Sequence, residues 1–336
     1  MKRRAVILFG ILLSAVFLYA AARGAKLDRM LAILSHARYG YTIPCVILTL
    51  FAFWIRALRW GLLLRGVRRL PQPTLFSATM IGFLANNVLP ARLGELVRAH
   101  VVGRRGEISR SAALASIVVE RIFDLFTMLG LFAVVMATTS FPGGLEKVAI
   151  AVLGVGLVSL VLLLLWNRYP GRFVGIVLPL VPARLREKTE AMAERFRTGL
   201  LVFNNVPHLI AVAGYSILMW AAIVVVMWLV MISLAIHVPQ PQASMVALVA
   251  IALVTMIPSA PGFIGTLQGG GTAALVVFGV SRESGLAFSI LYHATQWIPV
   301  NVVGLIYLFR EGLSLGQLSR MAESSAESDP AARSQR

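Results

Sequence analysis

The feature that most limits what this chain can become is a recurring apolar run of about 20 residues, the length a helix needs to cross a bilayer core. Six such runs read as full spans, at residues 5–22, 43–64, 112–138, 147–166, 208–236 and 285–309. Their apolar character is continuous rather than alternating, which predicts helices and not the strands of a membrane barrel. With 58% hydrophobic and 13% charged residues over 336 positions, a soluble domain of this size is excluded. The expectation is an all-α polytopic membrane protein with one transmembrane domain over residues 1–318. The start, MKRRAVILFGILLSAVFLYAAARGA, also has the layout of a signal peptide. Its apolar run is long enough to span, so a retained first helix is expected.

Two further apolar stretches, 74–102 and 244–280, are interrupted near their middles. The first breaks at NNVLPARLGE. The second breaks at IPSAPGFIGT and carries the triplet Gly269 to Gly271. Proline removes a helix hydrogen bond and glycine loosens the backbone, so each stretch should form two half-helices. The distribution of arginine and lysine bears on whether these stretches cross. If both are re-entrant and the N-terminus is cytoplasmic, 23 basic residues fall in inside segments (Arg56 to Arg69 and Arg98 among them) and 6 outside. Arg92 and Arg121 stay within the membrane. The positive-inside rule favours that arrangement, with both termini cytoplasmic, in a bacterial inner membrane. A span, a broken stretch and a span then occur twice, over 43–138 and 208–309. The two breaks enter from opposite sides, the pattern of an inverted repeat with a site near the midplane. Two unrelated kinked helices would give the same pattern by coincidence. Between the copies, 182–203 has the spacing of an amphipathic helix lying on the cytoplasmic surface. The tail, 319–336, has the composition of a disordered segment.

Much chemistry is excluded by what is missing. One cysteine, Cys45, rules out an internal disulfide and a CxxC site. The five histidines are scattered, with no metal-ligand spacing, nucleophile elbow or phosphate loop. No metal, cofactor or catalytic set is expected. The net charge of +17 fits loops facing anionic lipid rather than nucleic acid.

The charges that remain inside apolar segments are the candidates for function, because each costs about 2.5–3.5 kcal/mol to insert. The first break supplies Arg92, Glu95 and Arg98. The following span, SIVVERIFDLFTM, supplies Glu120, Arg121 and Asp124. Glu120 and Asp124, four apart, share a helix face, and Arg121 can reach Asp124. Three cations and three anions balance, so the simplest pairing sets Arg92 between Glu120 and Asp124, with Glu95 near Arg121. This network either holds irregular backbone at membrane depth, or serves a substrate, or both. Asn86 and Asn87 either cap backbone groups or contact a ligand. The second half-helices, starting near Ala91 and Gly262, would offer N–H groups and a partial positive charge to an anion. In the second break, Gly262 and Gly265 allow close backbone approach, and Ser259, Thr266 and Gln268 offer polar contacts. His293 in the last span is a structural group or a proton carrier.

Taken together, Asn87, Pro90, Arg92, Gly94 and Glu95, then Glu120, Arg121 and Asp124, then Pro261, Gly262 and Gly265 resemble the lysylphosphatidylglycerol synthase transmembrane region, a flippase-like family. The resemblance covers about residues 5–310. It implies movement of a lipid with an anionic or polar head between leaflets, with the residues above as binding or coupling groups. The soluble aminoacyl-transfer domain of two-domain members is not expected, and lipid aminoacylation is not implied. Where the family often has glutamate after the late proline, this chain has Gln268. Two rivals remain. One is an intramembrane enzyme using Glu120 and Asp124 as acid and base, although no nucleophile or metal set accompanies them. The other is a membrane subunit assisting a lipid-modifying enzyme or a glycosyltransferase partner.

Overall fold

A computed structural model describes residues 2–89, 93–106, 108–138, 206–255 and 259–318, with Met321 and scattered positions between 147 and 186. Among the described residues every regular element is a helix. The chain runs through α1 (Lys2–Ala22), α2 (Leu27–Ser35), α3 (Thr42–Leu64), α4 (Gln72–Val88), α5 (Gly94–Gly106), α6 (Arg110–Thr138), α7 (Val206–Ser233), α8 (Gln242–Thr255), α9 (Thr266–Val276) and α10 (Arg282–Arg310). Short 3-10 turns precede α3 (Tyr39–Tyr41) and α9 (Pro261–Phe263). Most of the expected span at 147–166, the surface helix at 182–203 and the tail at 319–336 lie outside the described residues.

By length and composition, two of the described helices are apolar and long enough to cross a membrane, Tyr39–Leu64 and Val206–Ser233. A third candidate is Gly10–Ala22 with Leu27–Ser35, bent by 83° at the break. Gly24, at φ +79°, turns the chain, and α2 follows as a short helix that buries Met30. Helices α6 and α10 are 29 residues each, about 43 Å at helical rise.

Both interrupted stretches are broken where the sequence places proline and glycine. The expected start near Ala91 lies outside the described residues, which enter α5 at Gly94, and α9 starts at Thr266, not near Gly262. The physical reason at the second break is the backbone of Gly262 (φ +71°) and Gly265 (φ +92°), which no right-handed helix accommodates.

The helix order long, short, short, long occurs twice. The unit α3–α4/α5–α6 is matched by α7–α8/α9–α10. The two opening helices, α3 and α7, pack against each other. Each hairpin also packs against the closing helix of the other unit, α4 on α10 and α8 on α6. Small residues make the close approaches. A Cβ on Gly304 of α10 would lie 2.9 Å from the Met80 carbonyl oxygen of α4, and Gly94 has no room for one against the Gly82 carbonyl. Helix α1 packs on the second hairpin. Its Ser14 hydroxyl accepts the Ala260 N–H at 2.8 Å, and its Ser14 carbonyl occupies the space where a Gly265 Cβ would be.

Pro299 sits inside α10 and cannot donate to the Thr295 carbonyl. Thr49 of α3 supplies the missing partner, its hydroxyl reaching Thr295 O at 3.5 Å, while Gln296 Nε2 donates to the same hydroxyl at 2.6 Å. Irregular backbone within the bundle is thus satisfied by a neighbouring helix.

Candidate functional site

The buried charges collect around the middle of α6. Glu120 is wholly buried and Asp124 nearly so. Being four apart, they point the same way, and three other helices bring polar groups to them. From α3, Arg56 Nη1 donates to Glu120 Oε1 at 3.2 Å and to Asp124 Oδ2 at 3.3 Å. Arg59 Nη1 donates to Asp124 Oδ1 and to the Ser216 hydroxyl, both at 2.8 Å. From α5, Arg98 meets both Glu120 oxygens, at 3.2 and 2.9 Å. Within α6, Arg121 Nη2 donates to Glu120 Oε1 at 2.6 Å and lies 3.2 Å from Asp124 Oδ2. From α7, Trp220 Nε1 donates to Asp124 Oδ1 at 3.3 Å.

Aromatic rings complete the surroundings. The Arg98 guanidinium lies 3.7 Å from the centre of the Trp60 ring, and Trp60 is held by its Nε1–H bond to Ser116 at 2.9 Å. Arg56 lies 5.2 Å from Phe83 and 5.8 Å from Trp220. Such contacts offset part of the cost of desolvating the guanidinium groups.

Two corrections follow. The positions between Glu120 and Asp124 belong to Arg56 and Arg59. Both turn into the bundle and do not belong to the inside segment that begins with the basic stretch Arg65 to Arg69. Arg92 and Pro90 lie outside the described residues. Nor do the charges balance three to three: among the described residues four arginines surround two carboxylates. Glu95, half-buried, lies near enough for its charge to act on Arg121, and arginine still outnumbers carboxylate four to three. Arg121 is the cluster's most open member, its side chain 40% exposed. The signal that could have found Arg56 and Arg59 was their three-residue spacing within an otherwise apolar run, FAFWIRALRWGLLL.

At the first break, Asn86 resolves as a cap: its Oδ1 accepts the Gly94 N–H at 2.8 Å, so that end of α5 is partly satisfied from within. Asn87 Nδ2 donates to Asn301 Oδ1 of α10 at 3.3 Å. The second break is neutral. Gln268 Oε1 accepts the Gly265 N–H at 2.7 Å, which leaves its Nε2 to donate to His293 Nδ1 at 3.0 Å. The His293 ring also bonds the Gly262 backbone. With Nδ1 an acceptor, the ring carries its proton on Nε2 and is neutral. Thr266 turns its hydroxyl to the Phe263 carbonyl at 3.0 Å, and Ser259 is half-buried beside α1.

The two breaks meet. A Cβ on Gly262 would lie 3.0 Å from Trp297 Nε1 and 3.4 Å from the Asn87 carbonyl oxygen. The tip of the second hairpin therefore rests on the end of α4, with Trp297 and Asn301 of α10 between them. Among the described residues no group of His, Cys, Asp and Glu has the arrangement of a metal site. Cys45 is buried with its thiol 3.8 Å from the Val226 carbonyl.

Comparison with known proteins adds the lineage. The family described as the lysylphosphatidylglycerol synthase TM region matches residues 7–304. A glycosyltransferase, AglD, of Haloferax volcanii is 32% identical over 148 residues, covering 44% of this chain but only 24% of that relative. Two membrane proteins of the UPF0104 group are similar over most of their length. The one from Methanothermobacter thermautotrophicus is 23% identical over 82% of this chain and 87% of its own. The one from Pyrococcus horikoshii is 23% identical over 92% and 97%.

Proposed function

The chain belongs to the lysylphosphatidylglycerol synthase TM-region family of membrane proteins, and from that membership together with its excess of buried arginine we infer that it moves an anionic or polar-headed lipid between leaflets. The observation that carries this reading is the count at the cluster: four arginines against two carboxylates, or three with Glu95. A buried cation without a counter-charge is costly. A passing phosphate would supply that charge. Arg121, the open member, makes the contact, and Arg92 from the adjoining break is its expected companion. Arg56, Arg59 and Arg98 hold the two carboxylates and tune the field. Asn87, Gly262 and Trp297, where the breaks meet, close the path between leaflets. Asn86, Gly265 and Gln268 keep the broken backbone in shape.

The accompanying topology has six full spans, two re-entrant hairpins in inverted copies, and both termini in the cytoplasm. Taking Arg56, Arg59 and Arg98 out of the inside segments leaves 20 basic residues there against 6 outside, so the positive-inside bias persists. Because Cys45 is the chain's one cysteine and is buried, single cysteines placed at Gly66 and Gly279 report orientation with little background. Labelling of both from the same side would overturn this topology.

The test of function is lipid scrambling in proteoliposomes with labelled phosphatidylglycerol, comparing wild type with Arg121→Gln and Arg92→Ala. The expected result is scrambling in the wild type and at least a tenfold loss in both variants. Equal rates in all three, from well-folded protein, would remove the arginines from the path. One observation favours a second reading, the likeness to a protein named as a glycosyltransferase. On that reading the chain is a membrane subunit working beside such an enzyme. Membranes lacking it would then lose glycosyl transfer, while the purified chain moves no lipid.

A further inference from the structure

A second basic feature lies apart from the buried cluster. Beyond the end of α3 the chain folds back through residues 65–71 before α4 begins, and this loop roofs a cleft of about 280 Å³. Its lining is of two kinds. Leu58 and Leu62 of α3, Leu75 of α4 and Tyr215 of α7 form the apolar part. Arg65 and Arg69 stand with Gln72 at the polar part. Leu75 enters the cleft because residue 61 is glycine, where a Cβ would lie 2.8 Å from the leucine methyl.

The two arginines are exposed, and among the described residues neither is in an ion pair. The contact of Arg65 is a long one, 3.5 Å to His208 Nε2. Gln72 is anchored by its bond to the Trp54 carbonyl at 3.2 Å. A guanidinium pair four residues apart can grip a phosphate from two sides. A soluble anion would have no use for the leucines and the tyrosine beside it. The cleft is smaller than a site for a whole amphiphile, but α3 exposes Trp54 and Phe51 on the same helix face as the lining Leu58. That surface suits acyl chains that leave the cleft sideways.

We propose that the cleft between α3, the 65–71 loop and α7 is a binding site for one anionic phospholipid, its phosphate held by Arg65 and Arg69 and its glycerol region against Leu62 and Tyr215. Basic pockets between membrane helices take lipid head groups by this chemistry. The site adjoins the charge cluster without belonging to it. Arg65 is six residues, about 9 Å of helix, from Arg59, and Tyr215 neighbours the Ser216 that bonds Arg59. It binds lipid whether or not the chain moves lipid.

The experiment is native mass spectrometry of the full chain released from micelles containing equal amounts of phosphatidylglycerol and phosphatidylcholine. Wild type is compared with Arg65→Gln/Arg69→Gln, with Leu62→Trp, which fills the cleft and leaves the charge alone, and with Arg104→Gln/Arg110→Gln, which removes as much charge elsewhere. The expected result is one retained phosphatidylglycerol in the wild type and the control, and at least a fivefold loss in both cleft variants. Undiminished retention in Leu62→Trp, equal loss in the control, or equal retention of phosphatidylcholine would overturn the site. Neither result depends on scrambling, so failure here is distinct from failure of the translocation reading.

Discussion

The two breaks each separate a pair of short helices, are each capped by a side-chain amide, and differ in the chemistry beside them. At the first, the Asn86 amide caps Gly94 and ion pairs stand beside it, where Arg56, Arg59 and Arg98 reach from α3 and α5 to the carboxylates of α6. The second is held by neutral hydrogen bonds, from Gly265 through Gln268 to His293. Irregular backbone inside a membrane protein has to be satisfied by protein groups, and Gln268 does this without charge. The charged break therefore carries more than scaffolding requires. This contrast is the physical reason to place a head-group contact at the first break and a structural role at the second.

The largest effect should come from removing the hub of the charged side. Glu120→Ala leaves three buried arginines and the partly exposed Arg121 around one carboxylate, and breaking a buried pair in this way costs about 3–5 kcal/mol. The check is a sharp fall in midpoint during SDS titration of the purified protein, or failure to yield a monodisperse species. A Glu120→Ala protein as stable as wild type would break the comparison.

Gly265→Ala comes next. It forces a side chain onto a residue at φ +92° and against the Ser14 carbonyl, a strain of about 1–3 kcal/mol. The same titration reads it, and Gly279→Ala, also at positive φ but with open space around it, should lose less.

Double-mutant cycles sharpen the contrast further. Coupling between contacting residues runs from about 0.5 to 3 kcal/mol. Arg59 with Asp124 should fall near the top of that range and Gln268 with His293 near the bottom. Equal couplings would mean that charge adds nothing at the first break.

The smallest effect is Gln268→Leu, expected to cost about 1 kcal/mol through the orphaned Gly265 N–H. Gln268→Glu asks a finer question. A carboxylate there keeps the acceptor for Gly265 but presents an acceptor to His293 Nδ1, which must then carry a proton. That variant should be most stable where His293 is protonated and weaken as pH rises past its titration.

The sequence made some of this plain and hid the rest, for local and non-local reasons respectively. Proline, asparagine and glycine marked both breaks, because the backbone conformations they permit or forbid are local properties. The facing of Glu120 and Asp124 was equally legible from their spacing of four. What surrounds them was not. Arg56 and Arg59 sit close enough to Arg65, Arg68 and Arg69 to pass as the edge of a basic loop, and only the packing of α3 on α6 and α7 shows that they turn inward. Ser216 and Trp220 carry no charge to give them away. The start of α9 moved because Gly262 and Gly265 take left-handed backbone angles, and a glycine in the sequence permits such angles without announcing them. The bend after α1 rests on Gly24 and on a short helix whose apolar face was too brief to stand out.

The exchange of partners between the two units, α4 against α10 and α8 against α6, has a consequence for how the protein is made. When α4 and α5 leave the ribosome, the helix that will cover them is still some two hundred residues away in the message. The first hairpin has to wait in the translocon's surroundings with its small-residue face uncovered, while the charges of α3, α5 and α6 are already able to find one another. Neither half is a finished object. Synthesised as two separate pieces, each should be degraded alone and rescued when both are made in the same cell.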